Sequence, residues 1–142
     1  MKHSEALTGP ILAVDPGRDK CGIAVVEPNG RVLYKAVAAT ENIAGEIRRL
    51  LGDYHVKRLV LGDRTAANEV MRALRQAHLP LAPILVDEHL SSEAGRRRYF
   101  RDNPPRGWRR LLPVTLQTPG RPYDDYVAVV LAERYLEGLQ AG

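Results

Sequence analysis

The chain has 142 residues, of which 44% are hydrophobic and 27% charged, the proportions of a globular protein. One cysteine, Cys21, excludes a disulfide-framed domain, and no apolar run approaches the roughly 20 residues that a membrane span needs. We therefore expect a single domain over residues 1–142 with no membrane contact. Asp15 interrupts the apolar run nearest the N-terminus, so we expect no signal peptide and a cytoplasmic location.

The predicted elements in chain order are five strands and four helices. Short apolar runs predict strands at about residues 11–14, 22–26, 31–38, 58–62 and 84–86. Apolar residues at helical spacing predict helices at about residues 41–52, 66–77, 91–100 and 123–139. Asn29-Gly30 predicts a hairpin turn between the second and third strands. Three antiparallel strands followed by βαβ units indicate an α/β domain with a mixed sheet and helices on both faces.

Residues 102–122 are rich in proline and glycine, and we interpret them as a long basic loop within the domain. Between Arg96 and Arg121 there are eight arginines and one acid, Asp102, a net charge of +7 that leaves −3 for the rest of the chain. The planar arginine side chain is well suited to binding phosphate. The segment therefore favours an anionic polymer as partner, and a solvated charged surface is an equal alternative on charge alone.

Acidic residues stand at the ends of predicted elements. Asp15 directly follows the first strand, Asp87 and Glu88 end the fifth, and Asp124 and Asp125 open the last helix. Carboxylates from such ends can converge on hard cations such as Mg²⁺ or Mn²⁺, and a pair of these ions supports phosphodiester cleavage. Helical spacing predicts both aspartates at the edge of the buried side, with no basic residue one turn away. The alternative for either aspartate is a favourable interaction with the helix dipole.

Four segments, ILAVDPGRDKCGIAVV, KRLVLG, ILVDEHLSSEA and PYDDYVAVVLAERYL, together resemble the YqgF/RuvX family of RNase H-like nucleases, distant relatives of the RuvC Holliday junction resolvases. The resemblance spans about residues 11–138. It implies an RNase H-like fold and a metal-dependent nuclease, a hydrolase that uses Mg²⁺ or Mn²⁺, with two ions expected. The implied metal ligands and catalytic acids are Asp15, Glu88 and Asp124, with Asp125 as an additional or substitute ligand.

Two departures from the family pattern affect the predicted site. Gly62-Asp63-Arg64 stands where the family usually has Gly-Leu-Pro. Asp63 is either a further acid of the site, since the resolvase relatives have an acid near that strand end, or a cap for the helix that begins at Ala66, which we favour. His89 replaces the family arginine, which would make a phosphate contact there depend on pH.

The candidate nucleic-acid-binding residues are mostly arginines. They are Arg18, His89, Arg97, Arg106, Trp108, Arg109, Arg110 and Arg121. Trp108 could stack on an unpaired base or anchor the loop to the domain. Consecutive residues 96–98 cannot all face one way on a helix, so we expect at least one of these arginines to be solvated or to pair with protein.

The predicted function is cleavage of structured nucleic acid, with ribosomal RNA precursor processing first, because the family is linked to trimming the 16S precursor. One alternative is a resolvase acting on branched DNA in recombination and repair, for which a homodimer is possible. Another is a nucleic-acid-binding module without activity. An ATP-binding protein is a further alternative, because Asp15-Pro16-Gly17 before a hairpin also resembles the phosphate loop of actin-like ATPases, which need two such domains.

Overall fold

A computed structural model describes residues 7–64, 66–89, 91–107, 111 and 122–141. The strands are β1 (Ile11–Asp15), β2 (Lys20–Val26), β3 (Val32–Ala39), β4 (Arg58–Gly62) and β5 (Pro83–Val86). The helices are α1 (Ile43–Asp53), α2 (Ala67–Gln76), α3 (Ser91–Asp102) and α4 (Asp124–Ala141), and a short 3₁₀ turn at Thr40–Asn42 precedes α1. All nine predicted elements are present, and their ends agree with the prediction to within two residues.

The five strands form one mixed sheet in the order β3-β2-β1-β4-β5. Strands β1, β2 and β3 are antiparallel neighbours, whereas β4 runs parallel to both β1 and β5. The predicted hairpin turn is present: the Gly30 amide donates to the Glu27 carbonyl at 2.8 Å, and Gly30 has a φ of 94°. Because β1, β4 and β5 are parallel, their carboxyl ends meet at one edge of the sheet.

Helices cover both faces of the sheet, as predicted. Alternate residues of β1 point to opposite faces, as the period of a strand requires. Leu12 and Val14 pack with the apolar sides of α1 and α2, whereas Ile11 and Ala13 pack against α4. Both strand faces are therefore buried, which explains why the central strands read as continuous apolar runs.

Helix α3 reaches the domain through α4. Tyr99 of α3 stands edge-to-face on Tyr126 of α4, with ring centroids 5.6 Å apart, and Phe100 packs beside them. This contact holds the third turn of α3 against the first turn of α4. None of the helices within the described residues has the length and hydropathy of a membrane span.

Candidate active site

Four acids line one pocket of about 480 Å³ at the carboxyl edge of the sheet, and three of them come from elements far apart in sequence. Asp15 is the last residue of β1, Glu88 follows β5, and Asp124 is the first residue of α4. We call this the acid pocket. Arg64 and the first residues of α3, Ser91–Glu93, also line it. The structure thus brings together the three residues that the resemblance implies as metal ligands.

Asp124 reaches the pocket because β2 carries a glycine where α4 begins. Gly22 pairs with Asp15 across the β1–β2 ladder. A Cβ atom on Gly22 would overlap the backbone carbonyl of Asp124, so any other residue would push the helix start away. Because Gly22 has no side chain, α4 can begin close to β2, which places Asp124 beside Asp15.

Glu88 enters the pocket over the end of β4. A Cβ atom on Gly62, the last residue of β4, would overlap the Glu88 carboxyl group. The Arg64 amide donates to Glu88 Oε2 at 2.5 Å, and the Glu88 amide donates to Asp63 Oδ1 at 3.2 Å. These reciprocal contacts between the loops after β4 and β5 fix a carboxylate that is only 8% exposed.

Asp63 does not cap α2, so the interpretation that we favoured from the sequence is wrong. Helix α2 begins after Ala66, which has a φ of 51°, and no side chain caps its first amides. The residue that precedes α2 therefore lacks the extended conformation of a capping residue. Asp63 instead accepts a hydrogen bond from the backbone amide of Glu88. Asp63 is exposed and does not line the acid pocket.

The acids of the pocket disfavour one another's charge. Burial raises the pKa of Asp15 to about 9, and a hydrogen bond to Glu88 together with repulsion from Glu88 and Asp124 adds to the increase. Two carboxyl groups can share a hydrogen bond only when one holds a proton. Burial also raises the pKa of Asp124, and repulsion from Asp125 adds to this while Lys20 opposes it.

The donor set of the pocket fits a hard divalent cation. It consists of carboxylate oxygens, which Mg²⁺ and Mn²⁺ prefer, and a cation would relieve the repulsion that raises the Asp15 pKa. Within the described residues, no three His, Cys, Asp or Glu side chains are arranged as a ready metal-binding group.

Asp125 lies apart from the acid pocket although it is adjacent to Asp124. Its Oδ2 is 3.7 Å from Nζ of Lys35 on β3, and its side chain is 4% exposed. Lys35 Nζ also lies 4.5 Å from the ring centroid of Tyr126. The structure therefore does not bring Asp125 to the other acids. The sequence of α4 has no basic residue one helical turn from Asp125, and the cation that pairs with it is Lys35, on a strand distant in sequence.

The turn between β1 and β2 is held by the end of β3. Thr40 Oγ1 donates to the Gly17 carbonyl at 2.8 Å, and the Thr40 amide donates to the Asp19 carbonyl at 2.9 Å. Cys21 is buried with its Sγ 3.3 Å from Thr40 Oγ1, and burial raises its pKa. Pro16 and Gly17, which follow Asp15 and line the pocket, are thereby kept in place.

The predicted nucleic-acid-binding residues fall in several places. Arg18, His89 and Arg106 are exposed and do not line the acid pocket, whereas Arg97 lines a separate cleft on α3. Arg98 pairs with Glu133 of α4 at 2.5 Å, which confirms that at least one of the three consecutive arginines pairs with protein. The candidates Trp108, Arg109, Arg110 and Arg121 lie outside the described residues.

Sequence reasoning missed two charged residues of the pocket. Arg64 lies two residues beyond β4, and Glu93 lies in the first turn of α3. The proximity of Arg64 to a strand end was the available signal, since parallel strands direct such residues to one edge. Glu93 resembles any acid that favours a helix N-terminus, so the sequence offered nothing to distinguish it.

The comparisons with known proteins agree with this architecture. No protein-family model and no curated protein matches the chain. Among solved structures, Thermus thermophilus RuvC in complex with a Holliday junction substrate aligns with a TM-score of 0.55 and 14% identity, covering 94% of each chain. The chain has the RNase H-like fold of RuvC. A second structure of Thermus thermophilus RuvC aligns with a TM-score of 0.54 and 13% identity, over 93% of this chain and 94% of that one.

A more distant match is a ROK family glucokinase from Streptomyces griseus in complex with glucose and AMPPNP. It covers 63% of this chain and 36% of its own, with 19% identity and a TM-score of 0.42. A likeness at that level does not bear on function. The RuvC structures, at their low identity, establish the fold of this chain.

Proposed function

We propose that the chain is a metal-dependent nuclease that hydrolyses phosphodiester bonds of structured nucleic acid. The observation that carries this proposal is the meeting of Asp15, Glu88 and Asp124 in one pocket at the carboxyl edge of a RuvC-like fold. The raised pKa of Asp15 supports it, because a purely structural cluster of acids would be paired with cations. The sequence motifs further favour the YqgF/RuvX family.

The three acids would hold one or two Mg²⁺ or Mn²⁺ ions. The chemistry that such ions supply is activation of a water molecule and stabilisation of the departing oxygen. Glu88 is held for this role by the Arg64 amide, so its carboxylate needs little reorganisation. The raised pKa of Asp15 keeps this carboxyl group protonated at neutral pH in the metal-free protein, and metal binding would release that proton.

Two further groups would orient the substrate phosphate. Arg64 is the basic side chain among the described residues that line the pocket, and it can donate to non-bridging oxygens. Ser91 and Ser92 open α3, a helix of 12 residues whose N-terminus favours negative charge. These donors would hold a phosphate against the acids and offset part of the mutual repulsion.

Two substrates are proposed. Processing of a ribosomal RNA precursor follows from the sequence motifs, which resemble those of the YqgF/RuvX family. Cleavage of branched DNA is favoured by the alignment over 94% of both chains with a RuvC bound to a Holliday junction. A junction resolvase nicks two strands in related positions and would need a homodimer, so the oligomeric state in solution also separates the two proposals.

A cleavage assay tests the proposal. Precursor ribosomal RNA, single-stranded RNA and a four-way DNA junction are offered side by side with Mg²⁺, Mn²⁺ or EDTA. We expect cleavage that depends on metal and that Asp15→Asn abolishes. Asp53→Asn makes the same chemical change at an exposed position of α1 and is expected to cut normally. Equal cutting by the Asp15 variant would contradict the proposal.

Metal binding has its own readout in the thermal stability of the protein. A ligand at 100 times its Kd stabilises the folded state by about 2.7 kcal/mol. We expect Mn²⁺ to raise the Tm of the wild type and to leave that of Asp15→Asn nearly unchanged. If the protein binds nucleic acid but neither cleaves it nor shows a higher Tm with metal, the inactive binding module is favoured. An increase in Tm with ATP would favour the ATP-binding alternative.

A further inference from the structure

A second cleft lies between α3 and α4, beyond the acid pocket, and its charge is opposite. It has a volume of about 590 Å³. Its lining residues include Arg97, Arg98 and Arg101 from α3, the apolar Phe100 and Val130, and Glu133 from α4. We call this the basic cleft. Three cations against one acid make it an anion-attracting surface.

The two exposed arginines of the basic cleft are not neutralised by neighbouring acids. Glu133 is occupied by Arg98, whose Nη1 lies 2.5 Å from its Oε2. Arg97 and Arg101 are exposed, and within the described part of the chain neither makes an ion pair or a hydrogen bond. Two adjacent cations without partners repel each other, and an anionic ligand would relieve that repulsion.

Helix α3 connects the basic cleft to the acid pocket. Glu93, which lines the acid pocket, shares one face of the helix with Arg97 and Arg101, since these residues are spaced by four. Eight residues of helix separate Glu93 from Arg101, roughly 12 Å at 1.5 Å per residue. Phosphates of one duplex strand follow each other by about 3.4 Å along the axis, so this length corresponds to about three or four nucleotides.

We infer that the basic cleft is a subsite for the phosphate backbone of the nucleic-acid strand whose scissile phosphate lies in the acid pocket. Arg97, about 6 Å along the helix from Glu93, binds a phosphate about two nucleotides away from that position, and Arg101 binds one about three or four nucleotides away. This inference rests on the proposed function, because the acid pocket sets where the strand begins. The inference gives the strand a path across the protein, along α3 from Glu93 toward Arg101.

The apolar part of the cleft suits this occupant. Phe100 and Val130 give the arginine side chains a surface against which their methylene groups can pack, so the guanidinium groups extend toward the ligand. The Arg98–Glu133 pair ties the two sides of the cleft together and holds α3 against α4. The subsite is therefore built on two packed helices rather than on a loop, which favours a fixed register.

Salt-dependent binding tests the subsite. The anisotropy of a labelled DNA duplex of about 20 base pairs is measured in EDTA, where no cleavage is expected, between roughly 50 and 200 mM salt. Each lost phosphate contact should make the slope of log K against log salt less negative by about 0.9. We expect R97A/R101A to reduce the slope by about 1.8 and to weaken binding roughly 60-fold at 0.1 M salt.

A matched control separates a site from general charge. R72A/R75A removes two exposed arginines from α2, on the opposite face of the sheet, and we expect it to leave the slope near the wild-type value. R97K/R101K keeps the charge and is expected to restore most of the slope. If the slope of R97A/R101A equals that of the wild type, or if R72A/R75A lowers it equally, the inference is wrong.

Different experimental results would overturn this inference and the proposed function. Metal-dependent cleavage with an unchanged slope in R97A/R101A would overturn the subsite and leave the nuclease. A reduced slope in R97A/R101A without cleavage in any metal would overturn the nuclease and leave the subsite. Absence of binding to RNA and to a DNA junction by the wild type would overturn both.

Discussion

The first turn of α4 places its two aspartates in regions that treat a carboxylate in opposite ways. Asp124 joins Asp15 and Glu88 in the acid pocket, where mutual repulsion and burial raise the pKa of Asp15 to about 9. Asp125 enters a second cluster, formed with Lys35 and Tyr126, in which a lysine lies 3.7 Å from its carboxylate. The difference is the counter-charge: the protein supplies one to Asp125 and leaves the acid pocket short of one.

This contrast gives a physical criterion for separating structural acids from functional ones. A buried carboxylate with its own cation is costly to remove, because its removal leaves that cation unpaired. A group of buried carboxylates without enough cations costs stability and is retained where it binds something positive. The following predictions test this contrast, beginning with the largest expected effect.

The largest effect is expected from Asp124→Asn compared with Asp125→Asn. If the acid pocket is the nuclease site, losing a metal ligand should reduce the cleavage rate by about 10³-fold, as losing a key electrostatic group does in other enzymes. Asp125→Asn should retain the rate of the folded protein. Single-turnover cleavage at saturating Mn²⁺ measures both variants. A greater loss of activity in Asp125→Asn would invert the assignment.

A smaller loss of activity is expected from Gly62→Ala. The added methyl group would overlap the Glu88 carboxyl group, which must then move from the pocket, at a cost of about 1–3 kcal/mol in packing or position. Cleavage should fall roughly 10- to 100-fold, as that energy implies. The control is Gly45→Ala on α1, where an added Cβ atom has no neighbour within 4 Å. Wild-type activity in Gly62→Ala would show that Glu88 need not lie over β4.

The Asp125 cluster should reveal itself in stability. Asp125→Asn leaves Lys35 without its counter-charge and should lower the free energy of unfolding by about 1–3 kcal/mol, less than for a fully buried pair. The loss of unfolding free energy is smaller than for a fully buried pair because the Lys35 side chain is 32% exposed. Urea unfolding of both single variants and of Asp125→Asn/Lys35→Met forms a double-mutant cycle. Strictly additive effects would rule out the pairing.

The smallest effect, and the opposite sign, is expected from Asp15→Asn in the metal-free protein. The folded-state pKa of Asp15, about 9, exceeds its ordinary value of 3.8, so the contribution of Asp15 to the stability of the wild type is largest below pH 3.8 and is lost as pH rises toward 9. Asparagine has no such titration. In EDTA we expect the variant Tm to exceed the wild-type Tm by about 2–6 °C near pH 8, with the difference vanishing near pH 4. A lower variant Tm at pH 8 would contradict this.

Local signals in the sequence were strong enough to predict every strand and α-helix within the described residues, although not the short 3₁₀ turn at Thr40–Asn42. The apolar runs of β1 and β4 are buried on both faces. Asn29-Gly30 favours a hairpin turn because Gly30 readily adopts the positive φ that this turn requires. The ends of β1 and β5 were equally clear and made Asp15, Asp87 and Glu88 candidates, and the resemblance to the YqgF/RuvX family selected Asp15 and Glu88 among them. Strand ends are local events, and parallel strands bring their ends to one edge.

Other features of the site depended on contacts between distant residues. Asp63 looked like a helix cap but binds the amide of Glu88 across two loops. Asp125 looked equivalent to Asp124, and only the position of Lys35 on β3 separates them. Neither partner lies within one helical turn in sequence, so neither could be found from periodicity.

The resemblance to the YqgF/RuvX family implied the three acids that meet in the acid pocket, and the sequence by itself determined the order of the elements and the mixed sheet. The reason is that periodicity, turn residues and strand ends are properties of neighbours along the chain. The tertiary structure alone decided which carboxylates have a cation and which do not, and that α3 joins an acid pocket to a basic cleft. Charge compensation depends on distances in space, and elements far apart in sequence set those distances.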